Sequence, residues 1–190
     1  MDIRFSIDDL INALKNLDCI GSESFQLPNP LWECNKTHIR FHGKENMGTY
    51  IRKEDTPEIR KKDMEELSSR IQHLKEKFIE IAQSDDTKLY VYKLQTKDIN
   101  DNTEEKLLQL YQALLQNVKA KNFKLLIVYE KQEKPIKEND NYILRTVKYF
   151  APDGDVTGKK YMNNGWDNIF HEFFQNRKIQ KVHKKYKFDK

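Results

Sequence analysis

The sequence predicts a three-layer α/β fold, in which a small, mostly parallel sheet is flanked by helices. The segments KLYVYKL (88–94) and FKLLIVYE (123–130) are rich in aromatic and β-branched residues, and a helical pattern over 103–121 separates them. Strand, helix and strand within about 40 residues form a βαβ unit, whose crossover makes the two strands parallel. The nearly continuous apolar run of the second strand is typical of a strand covered on both faces.

The first predicted helix begins after Ser6, whose side chain can cap it, and Asp9 lies at the capping-box spacing. Gly21 and the LPNP at 27–30 end the regular pattern. Apolar residues that share one helical face are Ile7, Leu10, Ile11, Leu14 and Leu17.

A long amphipathic helix is predicted over 57–83. Thr56 can cap it, Pro57 suits its first turn, and Glu58 complements the helix dipole. One stripe recurs at spacings of three and four and is predicted to be core: Met64, Leu67, Ile71, Leu74, Phe78 and Ile81.

The remaining elements complete the sheet and its cover. The helix of 103–121 starts with a threonine and two acids and ends in lysines, as the helix dipole favours. After a polar loop, NYILRTVKYF (141–150) is a third strand candidate, and PDGD (152–155) is a turn. The segment GWDNIFHEFF predicts a closing helix that docks Trp166, Ile169, Phe170 and Phe173.

Charge divides the chain into one domain, 1–176, and a basic C-terminal tail, 177–190. The tail holds seven basic residues and one acid, which leaves 27 basic and 29 acidic residues in the body. Such a tail can hold phosphates or anionic lipid by counterion release, or it can be a solvated terminus.

We expect a cytoplasmic protein without a membrane span. The first residues, MDIRFSIDDL, carry acids where a signal peptide has an apolar run, and no window approaches the roughly 20 apolar residues of a span. Two cysteines in 190 residues do not form a disulfide framework, so we expect reduced thiols.

The stretch ECNKTHIRFHG (33–43) holds the most reactive side chains. Within it, the alternation of THIRFHG (37–43) predicts a short strand that buries Ile39 and Phe41 and places His38, Arg40 and His42 on the other face. Together with Cys19 and Cys34, the two histidines offer enough ligands for a zinc site. The spacing lacks the usual two tight pairs, however, and a strand separates the imidazoles by about 13 Å. We therefore predict no metal.

A nucleotide-binding loop and a thiol nucleophile are two further kinds of site that the sequence can be searched for. The loop QTKDINDNT (95–103) contains no glycine, so we predict no nucleotide cofactor. Cys19 follows the C-terminal end of the first helix, whose partial charge disfavours a thiolate. Cys34 thus stays the candidate nucleophile, or it is simply a small buried thiol.

The order of several motifs resembles a known family. IRFHG places His42 after a short strand, ELSSRIQHL places Arg70 within a long helix, and LYVYKL places Lys93 on a strand. A helix, the strand FKLLIVYE and GWDNIF with Trp166 follow. Over about residues 7 to 175, the chain resembles a functionally uncharacterised bacterial family that is labelled as papain-like cysteine peptidases and also occurs beside polysaccharide-synthesis genes.

The resemblance implies a shortened member of that family. The family opens with a strand that bears a cysteine, and neither cysteine of this chain matches that position. Gly43 also stands where the family commonly has an acid. The predicted function is therefore a non-catalytic relative that binds a polar or sugar-phosphate ligand through His42, Arg70 and Lys93, with Trp166 near them. An enzyme version would use His42 as the base and Cys34 as a substitute nucleophile.

Two alternatives stay open at this point. The first is a protein of a polysaccharide pathway, either a sugar-transferring domain or its accessory subunit, which the gene neighbourhood of the family and the sheet architecture favour. The second is a non-catalytic interaction module that uses the charged long helix or the basic tail.

Overall fold

A computed structural model describes residues 6–20, 24–26, 31–42, 56–130, 136–148 and 165–174. The helices are α1 (Ile7–Lys15), α2 (Pro57–Gln83), α3 (Thr103–Gln112) and α4 (Trp166–Phe174). The strands are β1 (Ser24–Gln26), β2 (Leu31–Cys34), β3 (Arg40–His42), β4 (Lys88–Leu94), β5 (Phe123–Glu130) and β6 (Ile143–Val147). The predicted basic tail and the PDGD turn lie outside the described residues.

The predicted parallel sheet is confirmed. Its strands lie in the order β4, β5, β6, and both neighbouring pairs are parallel. The helix α3 connects β4 to β5, as the βαβ pattern predicts. Strand β5 is therefore the central strand, and its buried run Leu125–Tyr129 explains why this segment is apolar at successive positions.

One face of the sheet holds the larger core. Leu125, Ile127 and Tyr129 of β5 point to this face and pack with the buried residues of α1 and α3. From α1 come Ile7, Ile11 and Leu14, and from α3 come Leu107 and Leu110.

The other face holds a smaller core under α4. Leu126 and Val128 of β5 pack there with Val147 of β6 and Ile169 of α4. Because helices pack on both faces of the sheet, the three-layer α/β prediction is confirmed. The guanidinium of Arg145 on β6 also pairs with Glu172 of α4, which orients the helix on this face.

The start of α1 follows from its sequence. The Ser6 hydroxyl accepts a hydrogen bond from the Asp9 backbone N–H at 3.1 Å, and the Asp9 carboxylate accepts one from the Ser6 backbone N–H at 3.2 Å. This reciprocal pair is the predicted capping box.

Only part of the predicted apolar stripe of α2 is buried. Leu67 and Ile71 pack against Ile20, whereas Leu74 and Ile81 are 54% and 49% exposed. The expectation that the whole stripe is core is therefore wrong. A straight helix drifts by about 20° per heptad relative to a seven-residue repeat, so positions 67, 74 and 81 rotate away from the packing surface.

The C-terminal half of α2 packs on the larger core instead through neighbouring positions. Phe78 contacts Tyr90 of β4 edge to face, with ring centroids 6.3 Å apart, and Ala82 is fully buried. The positions of α2 that pack on the protein therefore change along the helix, from Ile71 to Phe78 and Ala82, as the drift of the helix requires.

A second, antiparallel sheet was not predicted. Strands β1, β2 and β3 form it in sequence order. Strand β3 comprises Arg40–His42, so the short strand predicted over THIRFHG is present but begins later than predicted. His38 has a backbone φ of 55° and lies in the turn that precedes β3, because no extended strand allows that angle.

The helix predicted over 103–121 also ends differently. After Gln112 the chain continues as a π-helical turn over Ala113–Asn117. Lys119 and Asn122 then adopt positive φ values, which brings the chain to the start of β5. Among the described residues, no helix has the length and apolar character needed to cross a membrane.

Substitution of Val128 tests the covered second face of the sheet. Val128 is fully buried, whereas Val91 belongs to the same face of β4 and is 43% exposed. We expect Val128→Ala to lower the free energy of unfolding by about 2–3 kcal/mol, because it removes buried methyl groups and leaves a cavity. The matched control Val91→Ala should cost less than about 1 kcal/mol. Urea unfolding measures both, and equal effects would contradict the placement of α4.

Candidate functional site

The β2–β3 hairpin, residues 31–42, brings three ionisable side chains together. Glu33 on β2 lies directly opposite Arg40 on β3. Two backbone hydrogen bonds shape the turn between them, from Cys34 N–H to the Ile39 carbonyl and from His38 N–H to the Cys34 carbonyl, both at 2.9 Å. Opposite charges at directly paired positions stabilise a hairpin, so this register is itself favourable.

The carboxylate of Glu33 is shared by its two neighbours. Arg40 Nε donates to Glu33 Oε2 at 2.6 Å, and His38 Nδ1 lies 3.2 Å from Glu33 Oε1. The Glu33 side chain is only 11% exposed, whereas those of His38 and Arg40 are 61% and 42% exposed. A buried carboxylate thus orients an exposed imidazole and an exposed guanidinium.

The electrostatics of Glu33 follow from these contacts. The hydrogen bond from Arg40 lowers the pKa of Glu33 below its ordinary value of 4.5, and burial opposes that effect. The hydrogen bond with His38 lowers the pKa further. Glu33 is therefore ionised at neutral pH and holds both partners in place.

The turn is fixed to the body of the protein. Asn12 of α1 donates through Nδ2 to the Lys36 carbonyl at 2.8 Å, and Thr37 is fully buried. The Cys34 thiol donates to the Cys19 carbonyl at 3.2 Å, which ties β2 to the turn after α1. These contacts give the hairpin a defined position beside α1.

His38 occupies a strained backbone conformation. A positive φ costs a non-glycine residue roughly 1–2 kcal/mol, and such strain persists only where the surroundings impose it. Among the described residues, His38 Nε2 and the terminal guanidinium nitrogens of Arg40 have no hydrogen-bond partner. The arrangement can therefore present a charged or proton-accepting nitrogen and a guanidinium edge to a ligand.

Cys34 directly follows Glu33 in the chain, but it is fully buried. A nucleophile must contact its substrate, so the enzyme version with Cys34 as substitute nucleophile requires the hairpin to open. Cys19 is half-buried, and the two cysteines are not joined by a disulfide.

The other residues predicted for the site lie on different elements. His42 ends β3, where it pairs with Leu31 of the antiparallel sheet. Lys93 is exposed on β4, and its neighbours Tyr92 and Leu94 pack into the larger core. Lys93 therefore projects from the opposite face, the one that α4 covers in part.

Arg70 and Trp166 also lie on different elements, α2 and α4. Arg70 is exposed on α2, whose C-terminal half packs on the larger core, so the structure does not bring Arg70 and Lys93 together. Trp166 packs on the smaller core and stacks on Phe170, with ring centroids 5.6 Å apart. Trp166 and Lys93 thus share a face of the sheet, and Arg70 lies on the other side.

The carboxyl end of β4 is a second candidate ligand site, since parallel sheets often bind ligands beyond the carboxyl ends of their strands. The Asp98 Oδ2 and the Tyr92 hydroxyl are buried there without a hydrogen-bond partner among the described residues. Burial is the main cause of the raised pKa of both groups. Lys97 and Lys106 lower the pKa of Asp98 in part, and Asp8 and Asp9 raise both pKa values further. This cluster opposes folding at neutral pH.

Among the described residues, neither the cluster around Glu33 nor the cluster around Asp98 is placed to hold a metal ion. Within the described part of the chain, no group of three or more histidine, cysteine, aspartate or glutamate side chains is placed to hold a metal ion. The zinc arrangement considered from the sequence would need His38 on a strand with His42, and His38 lies instead in the turn, paired with Glu33.

Sequence reasoning missed Glu33. It identified the stretch 33–43 but assigned no role to the glutamate at its start. A usable signal was present, because Glu33 and Arg40 are opposite charges on the two sides of a short polar segment, NKTH. Such pairs are favourable across a hairpin.

The Glu33→Gln variant tests the shared carboxylate. Because the pKa of Glu33 is lowered in the folded state, its stabilisation is present above pH 4.5 and is lost as pH falls through the lowered pKa. At about pH 7 we expect the variant to lose about 1–3 kcal/mol of unfolding free energy, and this difference should shrink toward about pH 3.

Chemical denaturation across this pH range measures the difference. Glu80→Gln is the matched control, because Glu80 is exposed on α2. It should change the unfolding free energy by less than about 0.5 kcal/mol at every pH. A Glu33→Gln difference that is independent of pH would show that the carboxylate charge is not what holds the hairpin.

Comparison of the chain with protein-family models, with curated proteins and with solved structures finds no match. The functional proposal therefore rests on the fold and on the geometry of the β2–β3 hairpin.

Proposed function

We propose that this chain is a non-catalytic α/β domain that binds an anionic or polar ligand, such as a phosphate or a sugar phosphate, at the β2–β3 hairpin. The observation that carries the proposal is the buried Glu33 carboxylate, which positions His38 and Arg40 while both stay exposed. The ligand class is the one predicted from the sequence, and the proposed site is different.

The geometry suits an anion because each cation uses one edge for Glu33 and keeps another for a ligand. Arg40 uses Nε for Glu33, which leaves the terminal nitrogens that bind phosphate or carboxylate oxygens in pairs. His38 uses Nδ1, which leaves Nε2 directed away from the carboxylate.

A bound anion would meet two nitrogen donors at this site, the Arg40 guanidinium and the His38 imidazole, while Glu33 holds both in place. A phosphate group could accept charge-assisted hydrogen bonds from Arg40 and His38 at once. The site is open to solvent, so we expect modest affinity that falls as salt concentration rises.

Other functions have less direct support. A sugar phosphate as ligand agrees with a polysaccharide-pathway protein, and we propose that function, the resemblance to the papain-like family and a cytoplasmic location only alongside the hairpin site. The cysteine-hydrolase version has less support because Cys34 is fully buried. An interaction module would use the exposed Leu74 and Ile81 of α2, but no described residue shows what would cover them.

Phosphate titration followed by NMR tests the proposal directly. The full chain is titrated with inorganic phosphate and with a hexose phosphate, and the unphosphorylated hexose serves as a comparison ligand. We expect amide shift changes to concentrate at residues 33–40. Arg40→Gln should weaken phosphate binding by about tenfold or more, because it removes a charge-assisted hydrogen bond.

Arg70→Gln is the matched control, since Arg70 is an exposed arginine on α2. Its affinity for phosphate should equal that of the unchanged protein. If Arg70→Gln weakens binding and Arg40→Gln does not, the site predicted from the sequence is the binding site and the hairpin is not. If phosphate shifts no amide of residues 33–40, the hairpin does not bind this class of anion.

A further inference from the structure

The two cysteines of the chain meet where the antiparallel sheet contacts the turn after α1. Cys19 ends the short 3-10 helix Leu17–Cys19, and Cys34 ends β2. The Cys34 thiol donates to the Cys19 carbonyl oxygen at 3.2 Å. The sequence separates these residues by 15 positions, so the fold itself brings them together.

The contact limits how far the Cys34 sulfur can be from the Cys19 backbone. A carbonyl oxygen lies about 2.4 Å from its own Cα, so the Cys34 sulfur lies at most roughly 5.6 Å from the Cys19 Cα. A disulfide also requires the two Cα atoms to lie about 4.4–6.8 Å apart. The Cys34 sulfur already lies beside the Cys19 backbone, so a bond requires it to turn from the Cys19 carbonyl oxygen to the Cys19 sulfur.

The two thiols also differ in access. Cys34 has no exposed surface, whereas Cys19 is half-buried at the end of the 3-10 helix. A small oxidant can reach Cys19 first, and the buried Cys34 thiol then lies next to it, at the Cys19 carbonyl. This pairing of one accessible and one adjacent buried thiol is suited to intramolecular disulfide formation.

We propose that Cys19 and Cys34 are a reversible disulfide site, oxidised by a low-molecular-weight disulfide such as glutathione disulfide. The Cys19 thiol first loses its proton to solvent, and its sulfur then attacks one sulfur of the oxidant, forms a mixed disulfide and releases one glutathione thiolate. The Cys34 thiol loses its proton to solvent, and its sulfur attacks the Cys19 sulfur and releases the second glutathione. Two protein thiols are thus oxidised by two electrons, and one small disulfide is reduced to two thiols.

The bond would act on the hairpin that we propose as the ligand site, although the disulfide does not depend on that proposal. Cys34 is bonded through its backbone to Ile39 and His38, and it follows Glu33 directly. A covalent tie from Cys34 to the turn after α1 would therefore hold this end of β2 in place. It would also close a loop that contains β1.

Incubation of the folded, full-length chain in glutathione redox buffers tests the proposal. We expect the number of reactive thiols in denaturant to fall from two to zero, with no glutathione retained. The tryptic peptide 16–36 contains both cysteines, so it should lose two hydrogens in mass. Chymotryptic cleavage at Phe25 or Trp32 should then leave two fragments joined until a reductant is added. The oxidised form should melt several degrees higher than the reduced form.

Single-cysteine variants separate the roles of the two thiols. Cys34→Ser should stop at a mixed disulfide on Cys19, and Cys19→Ser should stay reduced because Cys34 is buried. If Cys34→Ser does not fold, Cys19→Ser alone is informative, since rapid glutathione addition to Cys34 would contradict the order of the two steps. The proposal is overturned if the unchanged protein keeps two thiols or keeps glutathione on Cys19 without an internal bond.

Discussion

The fold depends on one constraint, which is that the central strand β5 is apolar on both faces. Leu125, Ile127 and Tyr129 need cover on one face, and Leu126 and Val128 need it on the other. Burial of each such side chain stabilises the protein by about 1.5–3 kcal/mol, so neither face can be left in water. The helices α1 and α3 cover one face and α4 the other. The exposed Arg145–Glu172 pair orients α4 but contributes little, as surface ion pairs usually do.

The hairpin site depends on that body through α1. Helix α1 packs its apolar side on the larger core and uses Asn12 to hold the turn of the hairpin. Glu33 then positions the side chains of His38 and Arg40, because its buried carboxylate contacts both of them. The strained backbone of His38 is consistent with a site whose geometry is imposed by its surroundings.

Local patterns made most of the fold predictable. The capping box of α1, the bounds of α2 and the three strands of the parallel sheet all follow from residues close together in sequence. In the antiparallel sheet only β3 was predictable, from the alternation of THIRFHG, because β1 and β2 have three and four residues and carry too little pattern to identify. The exposed Leu74 shows the same limit, since burial of a helical stripe depends on what packs against it.

The site was predictable only as a region. The stretch 33–43 was identified by its reactive residues, but the left-handed backbone of His38 and the burial of Glu33 arise from cross-strand pairing. Long-range ¹H–¹⁵N NMR spectra of the histidine rings test the central claim most directly, because they show which ring nitrogen carries the proton. In mildly alkaline solution we predict a proton on Nδ1 of His38, facing Glu33, with exposed His73 as an internal reference. A proton on Nε2 of His38 would contradict a carboxylate that orients the imidazole.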